Sequence, residues 1–255
     1  MYWFTSTPVN RYTPSESEVM ASKRFRNAAQ QVDQQTVHPL DRAVALLGQL
    51  PPVKFNETVE LSVTLNIDPK KTDQVVRGTV TLPHGTGKIR RVLVFCKGEN
   101  ELLAKQAGAD DVGGAELIEK VQGGWLDFDV VIATPEMMRE VSRLGKILGP
   151  RGLMPNPKAG TVTDDVAKAI QDVKLGKVEF KMDKQAVIHF VIGKRSFQPQ
   201  QLVDNGRSAM QAIVRARPAT VKGRLIKRLS LSSTMSPGIQ LTTEGLEDDT
   251  ASEDA

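Results

Sequence analysis

Cysteine occurs once in the 255 residues and histidine three times, and no apolar run reaches the ~18 residues that a membrane-spanning helix needs. The single thiol, Cys96, makes no disulfide within the chain. Set in the apolar run VLVFC, it reads as a buried structural residue rather than a nucleophile, a usage that fits a reducing cytoplasm. The opening MYWFTSTPVNRYTPSESEVM lacks the continuous apolar core of a secretory signal, and the basic helical start ASKRFRNAAQQVD follows Met20. Residues 1–19 are therefore expected to be a disordered extension. His38, His84 and His189 are scattered, and none has metal-ligand spacing to a Cys, Asp or Glu, so neither metal nor cofactor is expected.

Enzymatic signatures are missing too. PHGTGK (83–88) hints at a phosphate loop, but Leu82 and Ile89 stand where that motif needs its first glycine and its hydroxyl. No G-x-G-x-x-G follows a strand, which leaves a nucleotide-binding enzyme as the weaker alternative. The pairs Asp110–Asp111 and Asp164–Asp165 read as caps at loops or helix starts. No catalytic constellation emerges.

What is present is a basic, core-forming chain. Hydrophobic residues make up 40%, aromatics 5%, and the formal charge is +4. The average hides a gradient, because EGLEDDTASEDA (244–255) holds six acids and no base. Setting those six aside from the 30 acids leaves 24 against 34 bases, a formal +10. Such a body seeks polyanions. Nucleic acid ranks ahead of membrane, as no basic amphipathic helix stands out.

The periodicity changes character along the chain. HPLDRAVALLGQL (38–50) has helical spacing, with Leu40, Ala43, Leu46 and Leu47 on one face, and Val59, Leu61, Val63 and Leu65 then alternate with polar residues as a half-buried strand does. VVRGTVTLP is a second alternating run. From about residue 88 the continuous apolar runs RRVLVFC and FDVVIAT alternate with the helix-like ENELLAKQAGA, GAELIEKVQGG and PEMMREVSRLGKIL, the pattern of a parallel sheet covered on both faces. After Gly176 half-wet strands return in VEFKMD and AVIHFVIG, followed by a long helix, QPQQLVDNGRSAMQAIVRARP, and the strand GRLIKRLSLSST. The expected fold is a split α+β domain with an α/β domain inserted into it. The parts are 20–84 and 177–240 for the first domain, 85–176 for the insertion, and 241–255 for an acidic disordered tail. Gly85, Gly87 and Gly176 mark the two crossings as hinge positions.

Three stretches carry binding chemistry. Lys54 beside Phe55 offers a cation for phosphate and a ring that either stacks on a base or enters the core. RLIKRLSLSSTMSPG combines Arg224, Lys227 and Arg228 with Ser230, Ser232, Ser233 and Thr234, whose hydroxyls suit the ribose 2′-OH, or else form an ordinary solvated strand face. FKMDKQAVIH adds Lys181, Lys184 and His189. GPRGLMPNPKAG (149–160) holds three glycines, three prolines, Arg151 and Lys158 with no acid, a shaped loop that reads as a phosphate cradle in an enzyme, a surface for nucleic acid or a connector between two helices.

KFNETVELSVTLNIDPKKTDQVVRGTVTLPHGTGK, FDVVIATPEMM, LGKILGPRGLMPNPKAGTVT and STMSPG, taken in order, resemble the L-one family of bacterial large-subunit ribosomal proteins from about Met20 to Gln240. The resemblance implies the split first domain, a Rossmann-like three-layer insertion and a two-stranded hinge. It also implies binding of large-subunit ribosomal RNA at a mobile stalk, help in releasing deacylated tRNA from the exit site, repression of its own operon through an mRNA leader, and a monomer when off the ribosome, in the cytoplasm. Carried over residue by residue, it marks Lys54, Phe55, Glu57 and Thr58 as RNA contacts, together with Thr234, Met235 and Ser236, the last standing where the family pattern has glycine. Lys181, Lys184 and His189 match basic or histidine positions nearby. Arg151 and Lys158 are expected on a secondary RNA contact or a rim of the cleft between the domains.

Overall fold

The computed structural model describes residues 22–243 apart from 34, 70, 72, 73, 219 and 222. The extension expected over 1–19 and residues 244–255 of the acidic tail lie outside the described residues. Among the described residues the fold is mixed α/β with three sheets.

The first sheet is antiparallel, in the order β7-β1-β8-β9, with β1 Thr58–Leu65, β7 Val187–Lys194, β8 Ile226–Ser233 and β9 Ile239–Leu241. Its centre follows from the period-two pattern: Val59, Leu61, Val63 and Leu65 are buried, while Thr58, Glu60, Ser62 and Thr64 are half-buried on the other face. Each inward side chain contributes about 1.5–3 kcal/mol of burial. Three helices take part in the same apolar cluster: α1 Lys23–Gln31, α2 Leu40–Gln49 and α8 Pro199–Arg215. Ser22 caps α1 by accepting from the Phe25 N–H at 3.3 Å, and a Gln198/Gln201 capping box opens α8. The cluster draws on residues from Ala28 to Leu82 and again from Phe180 to Leu241.

β9 corrects a boundary. Leu241 is buried in that strand, and the Thr242 N–H donates to the His38 carbonyl at 3.0 Å, so a tail beginning at 241 cuts into folded structure. A three-residue strand is too short to show a period in the sequence.

The second sheet is parallel, in the order β4-β3-β5, with β3 Val92–Phe95, β4 Asp111–Gly113 and β5 Val130–Ala133. Every side chain of β3 is buried because both faces are covered. One face packs α4 Ala115–Gln122 and the segment from α5 Met138–Val141 to α6 Gly145–Leu148, and the other packs α7 Val166–Lys174 and Ala104 of α3 Glu99–Gln106. PEMMREVSRLGKIL, read as one helix, is broken by a 3-10 turn at Ser142–Leu144, where Ser142 Oγ donates back to the Met138 carbonyl at 2.6 Å. Asp165 caps α7, accepting from the Lys168 N–H at 3.2 Å, as its position suggests, whereas Asp110 holds the Val92 N–H at 2.8 Å. Cys96 is buried, and burial pushes its thiol to about 11, out of reach of nucleophilic use.

The glycine- and proline-rich loop is part of this sheet's support. Leu153 and Met154 pack on its apolar cluster, and the chain then runs beside β5, with the Ala133 N–H on the Thr161 carbonyl at 3.0 Å and the Thr163 N–H on that of Ala133 at 3.2 Å.

Between the two sheets runs an antiparallel ribbon, β2 Arg77–Thr81 paired with β6 Lys177–Lys181. VVRGTVTLP thus joins β6 rather than extending the β1 sheet. At its end Gly176, with φ 101°, crosses so close to Gly85 that a Cβ on Gly176 falls 2.5 Å from the Gly85 Cα. Gly176→Ala is expected to cost about 1–3 kcal/mol from the left-handed backbone alone, with the clash added. A denaturant midpoint on the variant checks this, and an unchanged midpoint contradicts the close crossing.

Candidate nucleic-acid interface

The outer face of the four-stranded sheet collects polar side chains from three strands. Ser62 lies opposite His189 of β7 and Ser230 of β8, Glu60 opposite Ser232, and Thr64 opposite Arg228. Ser62 Oγ and His189 Nδ1 are 3.2 Å apart, and His189 and Arg228 are exposed. Ser233 does not join them. The alternation of β8 turns it inward, where it is 5% exposed.

At one end of this face two large apolar side chains stand in solvent: Phe55 is 52% exposed and Met235 is 49% exposed. Their segments are stitched together. The Thr58 N–H donates to Thr234 Oγ1 at 3.0 Å, the Thr234 N–H to the Thr58 carbonyl at 3.1 Å, and the Met235 N–H to Glu57 Oε1 at 3.2 Å. Thr58 Oγ1 accepts in turn from Lys194 Nζ at 2.7 Å. The core alternative for Phe55 fails, since a ring 52% exposed is not a core residue. Lys54 beside it is exposed.

Glu57 is corrected. Its side chain is fully buried, so it lies beneath the face and not on it. Arg195 pairs with it, Nη1 to Oε2 at 2.5 Å, and also donates to the carbonyls of Leu50 and Gly48. One ion pair therefore ties the Phe55 segment, the Met235 turn and the end of α2. Arg24 adds a strut from α1, donating to the Met235 carbonyl at 2.6 Å and that of Pro51 at 3.4 Å. Neither arginine had a signal in the sequence, because each partner lies more than twenty residues away and no motif contains both. Ser236 closes the turn: its Oγ accepts from the Ser233 N–H at 2.8 Å and donates to the Pro237 carbonyl at 3.1 Å, bonds that a glycine would not supply.

The remaining basic candidates stand apart from this face. Lys181 is on β6 opposite Arg77, in the ribbon. Lys184 is exposed in the turn before β7, which Asp183 holds. The amides of Val187 and Gln185 donate to its carboxylate at 2.8 Å each, and these bonds, the Val187 one first, hold it below its ordinary range. Arg151 is exposed in the turn at 149–152, and Pro157–Ala159, which contains Lys158, lies against β2. The loop borders a cleft of about 320 Å³ with Thr79, Arg90, Asp129, Val178 and Glu179. Among the described residues no group of three or more His, Cys, Asp or Glu side chains is placed to hold a metal, and no helix is long and apolar enough to cross a membrane.

Comparison with known proteins agrees with the resemblance read from the motifs. The profile of the Ribosomal protein L1p/L10e family matches residues 47–237. The chain is 54% identical to the large ribosomal subunit protein uL1 of Protochlamydia amoebophila (strain UWE25) over 86% of its length and 93% of the relative's. It is equally similar, at 54%, to the uL1 proteins of Nocardioides sp. (strain ATCC BAA-499 / JS614) and Cutibacterium acnes (strain DSM 16379 / KPA171202), covering 92% and 95% of them. The chain belongs to the ribosomal protein L1p/L10e family.

Proposed function

We propose that the chain is a structural constituent of the large ribosomal subunit that grips folded ribosomal RNA with the outer face of the β7-β1-β8-β9 sheet. The observation that carries this is the exposed Phe55–Met235 pair at the end of a hydroxyl-rich face on a body of formal +10. Phe55 stacks on a base or ribose. Ser62, Ser230, Ser232 and Thr234 address 2′-hydroxyls, the groups that distinguish RNA from DNA, while Lys54 and Arg228 meet phosphates. Glu57 and Arg195 shape the site from below without touching RNA.

In this reading the chain has two domains, a split α+β one and a Rossmann-like insertion over 85–176. Support comes from the apolar clusters: those around the parallel sheet draw only on residues from Val92 to Val173. The Gly85–Gly176 crossing is the hinge, the insertion moves with the stalk as deacylated tRNA leaves the exit site, and the same RNA face binds the mRNA leader of its own operon. Lys181, Lys184, Arg151 and Lys158 are then secondary contacts.

Equilibrium binding to a large-subunit RNA fragment, run beside radiolabelled ATP, tests the proposal. Tight, salt-dependent RNA binding without ATP binding is expected, and ATP binding without RNA binding would overturn it. Lys54→Ala is expected to lower the slope of log K against log salt by about one unit, the counterion share of one phosphate. A slope equal to that of the unaltered chain would remove Lys54 from the interface.

A further inference from the structure

PHGTGK enters the function proposed above only through Gly85 at the hinge, yet the structure gives the whole motif a built environment. It lines a cleft of about 490 Å³ whose other walls include Arg90, Asp110 and Lys174. Gly85 and Gly87 take φ 65° and 70° on either side of Thr86. Such an alternation turns successive backbone N–H groups toward one side, the concavity in which anions are held. Among the described residues, nothing in the protein accepts from the N–H groups of Thr86, Gly87 and Lys88. Thr86 is 5% exposed, and its hydroxyl has no partner among the described residues.

The charges around it are uneven. Lys88, Arg90 and Lys174 supply three cations, and Lys174 spends one of its donors on the Gly108 carbonyl. The acids are already engaged: Asp110 accepts the Val92 N–H at 2.8 Å, and Asp204 faces His84 Nε2 at 3.4 Å and Gln200 Nε2 at 3.3 Å. We propose that this cleft binds a phosphate group, held by the N–H groups of Thr86, Gly87 and Lys88, the Thr86 hydroxyl, and the ammonium groups of Lys88 and Lys174. The motif works as an anion nest without being an NTP-binding loop. Bound there, the phosphate joins the 83–88 strap to α7 at the crossing of the two chain segments. The inference does not rest on the Phe55–Met235 face.

Inorganic phosphate and an RNA backbone present the same chemistry, and one experiment separates them. The 15N-labelled full chain is titrated with sodium phosphate, with sodium chloride at matched ionic strength, and with a short oligouridylate, while the amide resonances of Thr86, Gly87 and Lys88 are followed. Saturable shifts with phosphate and none with chloride are expected. Lys88→Gln, a change at an exposed side chain, should weaken the apparent affinity about tenfold, the scale of one charge-assisted hydrogen bond. Thr86→Val should weaken it further while the denaturant midpoint of the Lys88→Gln chain stays at that of the unaltered protein. Shifts with oligouridylate alone support the site with RNA backbone as its occupant. The proposal falls if neither probe shifts these amides, if chloride shifts them equally, or if the Lys88→Gln chain responds as the unaltered one does.

Discussion

Arg195→Met lowers the free energy of unfolding by about 3–5 kcal/mol in this account, the usual cost of leaving a buried charge without its partner. Glu57 is fully buried, and Arg195 is its cationic partner at 2.5 Å. Methionine fills much of the space but donates nothing to the carboxylate or to the carbonyls of Gly48 and Leu50. The double variant Glu57→Gln with Arg195→Met is expected to recover a large part of the loss, because it removes the stranded charge. Denaturant midpoints on the two variants check this. Equal midpoints for Arg195→Met and the unaltered chain would show that the pair holds nothing together. RNA affinity in the folded fraction should also fall, since the Met235 N–H rests on Glu57 Oε1.

The second large effect lies at the crossing. Asn205 on α8 is fully buried, and its side chain serves three backbone groups. Nδ2 donates to the carbonyls of Ile192 at 2.7 Å and Gly85 at 3.0 Å, and Oδ1 accepts from the His84 N–H at 3.1 Å. Asn205→Leu keeps the volume and removes every one of these bonds. A buried group left unpaired costs about 1–3 kcal/mol, and Ile192 O, deepest of the three, cannot turn to water. The summed loss is expected near ~3 kcal/mol, by the same per-group cost, with faster hydrogen exchange at the His84 amide. Exchange at the rate of the unaltered chain would contradict the strap.

The strands were legible wherever a period had room to repeat. The alternation Val59, Leu61, Val63, Leu65 identifies β1, and the continuous run of β3 identifies a strand covered on both sides. β4 and β9, at three residues each, carry no period, and VVRGTVTLP alternates without saying which strand it joins. The site divides in the same way. Phe55, Thr234 and Met235 stand in local motifs, and hydrogen bonds join the two segments at one end of the sheet. Glu57, in the same motif as Phe55, is marked as an RNA contact by the family resemblance alone, and its side chain is fully buried. Its burial depends on Arg195, which is 138 residues distant in the chain, and nothing local announces an ion pair of that span. Asn205 is hidden likewise, since a polar residue inside an amphipathic helix reads as solvent-facing until the strap it holds is seen.

The central claim, that the Phe55–Met235 end of the sheet grips RNA, rests most directly on Phe55→Ala, with the denaturant midpoint and the affinity for a large-subunit RNA fragment measured on the same sample. The ring is 52% exposed, so the account predicts a midpoint close to that of the unaltered chain. Affinity should fall by about 1–3 kcal/mol, the loss of one stacking contact, with the salt slope preserved because stacking releases no counterions. A large drop in the midpoint with normal affinity in the folded fraction would contradict it.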